Sequence, residues 1–394
     1  MRKDLENKMT TSFEVTRAKV SDIGSLISLY HMVYGNSYPI SYGTDPEAAK
    51  QLILSKKDYW FVVRDPATGK PVASLIVQID SDVDLGHVVA LVVHPDFQSL
   101  GLGSQILKFA CSEVFSSTEC PNSVYATTRT NSIGPQKVFL KNGFLPMGIF
   151  PNSHFIEEFE TLTLFIRYRD GVLVDRLYAD TVPLELKEIY GIINENPEIN
   201  LPVDFSATEV VFQKGPKIKH VFEKIDAPTF VAKRFSNVFK NKYDRYYPFH
   251  KPNFLMTSRD SDLEVYMHVN HKDRYSAILA CNKSIKDVKL ELGCLISELR
   301  WSDISYVECL IPINDRLSLE TMLQLHFIPS ALYPAMLPKE NGRFVDFVLL
   351  SRTFESLNFE GIFLDGSFKK FIDQYVKIWE KQALQSLEVV HASH

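Results

Sequence analysis

A run from Leu85 to Phe109, LGHVVALVVHPDFQSLGLGSQILKF, limits more than any other stretch what this chain can fold into. It reads as a buried strand from His87 to Val93, a tight turn at Pro95, a glycine-bearing loop and then a helix. The loop is Gln98-Ser99-Leu100-Gly101-Leu102-Gly103. Glycines let successive backbone N–H groups point inward without Cβ clashes, and the following helix adds its N-terminal partial positive charge. Together they make a cradle for a phosphate or pyrophosphate. The residues exclude two familiar phosphate loops. A Walker loop ends in Gly-Lys-Ser/Thr, which is missing here. A dinucleotide GxGxxG needs glycine where Ile106 stands.

The loop resembles the Gln/Arg-x-x-Gly-x-Gly/Ala signature of the GNAT N-acetyltransferases, placed as in that family after a strand ending in Val-x-Pro. A second element agrees. Ser123 to Thr130 reads as a strand, Asn131 opens a loop, and PQKVFLKNGF reads as a helix with Gly143 as C-cap and Phe144 beginning the next strand. The family carries an asparagine at a strand end and a Tyr-Glu-Lys-x-Gly-Phe helix terminus; Asn131, Lys141, Gly143 and Phe144 have that character. The resemblance covers residues 13 to 169. It implies an α/β fold whose mixed sheet splits after the strand ending at Val93, with acyl-coenzyme A in the split. Donor contacts would then come from Leu91, Val92, Val93, Gln98, Ser99, Leu100, Gly101, Leu102, Gly103, Ser104, Asn131 and Phe139. The acceptor side would be lined by Tyr34, Tyr38 and Tyr42 of YGNSYPISYGTDPE, although the same tyrosines could simply cover the core edge.

Composition allows this and removes other classes. The 394 residues suffice for two or three domains, and 45% hydrophobic with 23% charged residues is ordinary for a globular chain. A net charge of −5 leaves no basic footprint for nucleic acid. Five cysteines without a CxxC read as reduced thiols in a cytoplasmic protein. No signal peptide and no membrane partner are expected, because the N-terminus lacks an apolar core and no run reaches spanning length.

In chain order, residues 1–12 read as a tail and Phe13 to Thr16 as a strand. Ser21 with Asp22 can cap a helix carrying Ile23, Leu26, Ile27 and Tyr30 on one face. Tyr59 to Arg64 and Val72 to Ile79 form a hairpin. Asp80, Asp82 and Asp84 lack the glycine and glutamate of a calcium loop and read as a solvated turn. Thr161 to Arg169 closes the sheet, so residues 13–170 form the catalytic domain. A linker with a short helix spans 171–202.

Residues 203–394 read as a degenerate copy of that domain. An offset of 183 aligns Val124, Asn131, Leu140, Phe144, Pro146, Pro151 and Arg169 with Val307, Asn314, Leu323, Phe327, Pro329, Pro334 and Arg352. The expectation is two GNAT-like folds in tandem. The copy has NKSIKDVKLE where the loop should be, so it should bind no coenzyme A. It could bury one side of the first domain, shape the acceptor groove or form a homodimer, and Phe368 to Leu387 should be an amphipathic helix docked on it.

The chemistry implied is transfer of an acetyl (acyl) group from acetyl-CoA to a small-molecule or peptide amine, with no metal. His268-x-x-His271 lacks a third ligand. Polarisation of the thioester falls to a backbone N–H near Leu91 or Val92. Two positions depart from the family: Ala90 stands where many relatives place a glutamate, and Phe139 where a general-acid tyrosine is frequent. His87 could replace the base, but strand alternation puts Ala90 with Val88 and Val92 and turns His87 away unless a bulge intervenes. No catalytic residue is assigned. A sensor that holds acyl-coenzyme A without turnover, or a longer acyl donor, remains an alternative reading.

Overall fold

The computed structural model describes residues 13–35, 41–207, 221–241, 247, 250–338 and 342–391, with 385–391 as backbone alone. The expected tail at 1–12 and Tyr38 lie outside the described residues. Contacts divide the chain into two compact units, one of residues 1–126, 134–145 and 166–169, the other of 127–133, 146–165 and 170–394. The division does not fall at residue 170, because the strands before it contribute to both units.

The first unit is built on β1 (Val15–Arg17), β2 (Asp58–Arg64), β3 (Pro71–Asp80) and β4 (Leu85–Val93), paired antiparallel in that order. Between β1 and β2 come α1 (Ile23–Tyr34) and α2 (Pro46–Leu54). Both β2 and β3 read as near-continuous apolar runs, because helices cover both of their faces. On one face α1 and α2 place Leu26, Leu29, Tyr30 and Ala49 against Trp60, Val62, Ile76 and Val92. On the other lies α3 (Leu102–Phe115), burying Ile106, Leu107, Ala110 and Val114, with Phe109 edge-on to Phe61 at 5.7 Å. Strand β5 (Ser123–Arg129) adds to β4 in parallel, and α4 (Gly134–Lys141) ends before Gly143, whose φ of +73° suits a helix C-cap.

One expectation is corrected here. Asp22 is the N-cap of α1 but makes no capping bond, since a 3-10 turn over Val20–Asp22 already starts the helix. Its carboxylate instead accepts two bonds from Arg64, each 2.8 Å, and one from the Lys19 N–H.

The second unit takes β6 (Leu145–Phe155) and β7 (Phe159–Tyr168), apart from the residues given to the first, then β8 (Arg176–Leu177), β9 (Thr181–Pro183), α5 (Lys187–Asn194) and β10 (Asp204–Ser206). It continues with β11 (Phe222–Asp226), α6 (Pro228–Val238), β12 (Phe254–Ser258), β13 (Glu264–Asn270), β14 (Tyr275–Cys281) and α7 (Lys289–Trp301). Last come β15 (Tyr306–Pro312), α8 (Arg316–Gln324), β16 (Ile328–Pro338), β17 (Phe344–Thr353) and α9 (Gly366–His391). The strands neighbour one another in the order β7-β6-β16-β17-β15-β14-β13-β12-β11; β8 flanks β17, and β9 pairs with β10. Helix α9 buries Phe368, Phe371 and Tyr375, with Phe368 edge-on to Phe165 at 4.9 Å.

Two pairs of strands have bounds displaced by 183 residues. Strand β5 begins and ends at 123 and 129, β15 at 306 and 312; β6 spans 145 to 155 and β16 spans 328 to 338, all displaced by 183. The correspondence extends to neighbours, since β11-β12-β13-β14-β15 repeats the antiparallel run and parallel step of β1-β2-β3-β4-β5. Gly148 of β6 stands opposite Ala331 of β16, its own counterpart by that offset. No described helix is long and apolar enough to cross a membrane.

Candidate acyl-donor site

The site is laid out by β4. Its parallel ladder with β5 covers only Leu85, Gly86 and His87, against Ser123, Val124 and Tyr125. From Val88 to Val93 the strand keeps β3 as a neighbour and pairs no further with β5. That free edge is where the sequence places a split.

Within it the strand bulges. Ile76 faces Val89 but Ser74 faces Val92, so Ala90 and Leu91 share one residue of β3. Ala90 takes a left-handed φ of +56°, a conformation that costs a residue with a Cβ about 1–2 kcal/mol. The extra residue resets the alternation. His87, Val89 and Val92 therefore lie on one face, opposite Gln78, Ile76 and Ser74: a bulge does intervene, and His87 does not turn away from Val92.

His87 still offers no base. Its ring lies flat on Tyr125, centroids 4.3 Å apart and planes within 10°, and burial pushes its pKa down to about 3. A base that weak cannot hold a proton taken from an amine near neutral pH.

Beyond β4 the chain makes a short turn over Pro95–Phe97 and enters the glycine loop. Left-handed backbone occurs at Ser99 (φ +67°) and at Gly101 (φ +78°), the N-cap of α3. Gly101 favours glycine for its left-handed φ alone and not for space, since a Cβ there would meet nothing within 4 Å. Gly103 is already helical, and a Cβ on it would sit 3.7 Å from Val93 and Val138, an ordinary contact. Packing within the protein therefore does not demand glycine at 103. The first backbone donors of α3 to find acceptors are Ser104 and Gln105, both bonded to the Gly101 carbonyl. Among the described residues, the amides of Ser99 through Gly103 have no acceptor. A row of open N–H groups at the positive end of a 14-residue helix is suited to hold an anion.

The flanks fix this loop. The Gln98 side chain donates to the Val93 carbonyl at 3.4 Å. Asn142, beyond α4, donates to Ser104 Oγ at 2.9 Å and to the Val138 carbonyl at 2.7 Å. Leu102 is buried, Leu100 and Ser104 are half-buried, and Gln98, Ser99 and Gly101 are exposed. On the strand Val92 is buried while Leu91 and Val93 are partly open.

The remaining site residues scatter. Phe139 is a core side chain of α4, edge-on to Phe144 at 5.0 Å. Asn131 is exposed just past β5, in the second unit. Tyr42 is buried in the α1–α2 core with its ring 5.7 Å from Trp60, so it behaves as a core residue. Tyr34 stacks on Tyr30 at 6.5 Å and stays half-buried. Sequence reasoning missed a buried polar chain, Trp60–Ser74–Tyr30, that ends on the bulge; each member looks in sequence like an ordinary core residue.

The family model of the acetyltransferase (GNAT) family matches residues 25–144, from α1 to Phe144. Residues 25–144 are a GNAT acetyltransferase domain. Solved structures similar to the chain include a GNAT-family acetyltransferase from Streptococcus pneumoniae, at 16% identity over 40% of this chain and 100% of that one, TM-score 0.35. A ribosomal-protein-S5-alanine acetyltransferase from Vibrio fischeri gives 19% identity, 41% and 95% coverage and a TM-score of 0.36. A spermidine N-acetyltransferase chimera with Vibrio cholerae sequence gives 14%, 40% and 96%, and 0.36. Comparison with curated proteins gave no match. The GNAT domain thus takes in the β4 bulge and the glycine loop, while β11 to α9 lie outside the matched residues.

Proposed function

We propose that this chain transfers an acetyl, or other acyl, group from acyl-coenzyme A to an amine. The observation that carries the reading is the row of open amides from Ser99 to Gly103 beside the unpaired edge of β4. The loop would take the pyrophosphate, and Leu91, Val92 and Val93 would pair with the pantetheine arm. Glycine at 103, which internal packing does not require, leaves room for a close ligand. Ser104 completes the donor side in this reading, and Tyr34 stands on the acceptor side.

The reaction joins the amine nitrogen to the thioester carbonyl carbon, breaks the C–S bond and leaves one proton for the thiolate. Backbone N–H groups on the bulged strand would steady the oxygen as it gains charge. No side chain is assigned the proton steps. Ala90 and Phe139 cannot move protons, and His87 is too weak a base. Solvent water relaying the amine proton needs none of them.

The same absence of an acid–base pair favours a second reading, a module that binds acyl-coenzyme A without turning it over. Thiol release from acetyl-CoA, measured against a panel of amino acids, polyamines, amino sugars and peptide N-termini, separates the two. Release accelerated at least tenfold by one acceptor class supports the transferase; release unchanged by every amine leaves the binding module. In the second half we propose a degenerate tandem copy without a donor cradle, since α7 comes after a 3-10 turn over Ile285–Asp287 in a stretch without glycine.

A further inference from the structure

The bulge in β4 is held by a buried chain of hydrogen bonds. Trp60 Nε1 donates to Ser74 Oγ at 2.8 Å, and Ser74 Oγ lies 3.0 Å from the Tyr30 hydroxyl. That hydroxyl donates to the carbonyl of Ala90 at 3.2 Å. With the Tyr30 proton directed at Ala90, Ser74 is left to donate to Tyr30, and the chain runs in one direction from indole to backbone. Tyr30 and Ser74 are fully buried and Trp60 nearly so. Phenylalanine and alanine would fill these positions without burying hydroxyl groups that need partners. The chain ends on the residue whose left-handed φ is strained. Strain of this kind persists only where the surroundings over-determine it, and it collects at functional sites.

We propose that Tyr30 is a positioning residue for acyl transfer: its hydroxyl clamps the 90–91 peptide so that the bulge presents a backbone N–H to the thioester carbonyl. The assignment rests on the proposed binding of the acyl donor along β4. A trans peptide is planar, so holding the Ala90 carbonyl toward Tyr30 sets the Leu91 N–H in the opposite direction. A donor that is already oriented needs no reorganisation as charge develops on the oxygen. The second half offers a contrast. Strand β14 also has a register shift, between Ile278 and Ala280, but none of Tyr275 to Cys281 has a positive φ.

The test compares acetyl-CoA with S-ethyl-coenzyme A, a thioether that lacks only the carbonyl oxygen, by calorimetric titration of the whole chain and of Tyr30→Phe. The parent should prefer the thioester. Tyr30→Phe should keep its affinity for S-ethyl-coenzyme A within about twofold and lose roughly threefold to tenfold of that preference. Ser74→Ala, which leaves the phenol in place, should lose part of it, and this arm decides if Tyr30→Phe does not fold. A preference unchanged in the variants overturns the assignment, as does an equal loss for both ligands, which marks general loosening of the site. A parent that binds both ligands equally overturns it too, with donor binding intact. A parent that binds neither removes the donor reading itself.

Discussion

Asp346 shows what burial does to a single carboxyl in the second unit. Burial pushes its pKa up to about 6, while the Arg176 guanidinium, 3.6 Å away, and the Ala335 N–H, at 2.7 Å, pull it back. A raised acid pKa means that the folded chain keeps a proton which the unfolded chain has released. The associated stability is fully present below about pH 4 and lost as pH rises through about 6, some 3 kcal/mol over that window. Asp346→Asn removes the titration. Denaturant unfolding from pH 4 to 7 should show the stability advantage of the parent over the variant shrinking by about that amount; a difference that stays flat contradicts the assignment. Legibility at this scale depends on whether the signal is local. The glycines at 101 and 103 announce the loop because the pattern lies within a few residues. Nothing in VVALVV tells whether or where an extra residue sits, and a shift of one residue exchanges the faces, so the side on which His87 lies could be given only on condition that no bulge intervenes. Glu308 is equally silent in sequence. Its buried carboxylate accepts from Tyr247, Tyr275 and Tyr306, the last at 2.8 Å, and only the fold gathers them.

Elements are easier to read in the sequence than their contacts. Strands β2 to β5 and helices α3 and α4 fall within a residue or two of the bounds their periodicity suggests, because each buries a regular apolar stripe. Helix α2 escapes the sequence reading because it lies in a stretch rich in turn residues. Its local signals are an Asp45 side chain that accepts the Glu47 N–H at 2.9 Å and a proline at the first helical position. The pairing of β6 with β16 could not be anticipated, since it turns on one glycine. A Cβ on Gly148 would lie 2.3 Å from the Ser330 carbonyl oxygen and 2.4 Å from the Ala331 side chain. Gly148→Ala must therefore push these strands apart, and chemical unfolding should register a loss of about 2 kcal/mol or more. A loss below about 0.5 kcal/mol would mean that the strands absorb the added methyl and that the close approach does not matter.

Across the whole molecule the two halves share strand order and diverge after the fourth strand of each. In the first, β4 runs into left-handed turns and amides without acceptors. In the second, β14 leads to α7 through residues 282–288, which include no glycine, and Lys289 reaches Gln324. On the proposed reading one donor site per chain is expected. The most direct measurement is calorimetric titration of acetyl-CoA into the whole chain beside Gly101→Glu and Gly101→Ala. Alanine controls for the backbone strain of a left-handed position, and glutamate adds a negative charge at the cradle. The account predicts one site per chain with a Kd in the micromolar range, weakened modestly by alanine and abolished by glutamate. Two sites per chain, equal binding by parent and Gly101→Glu, or no binding by the parent would contradict it.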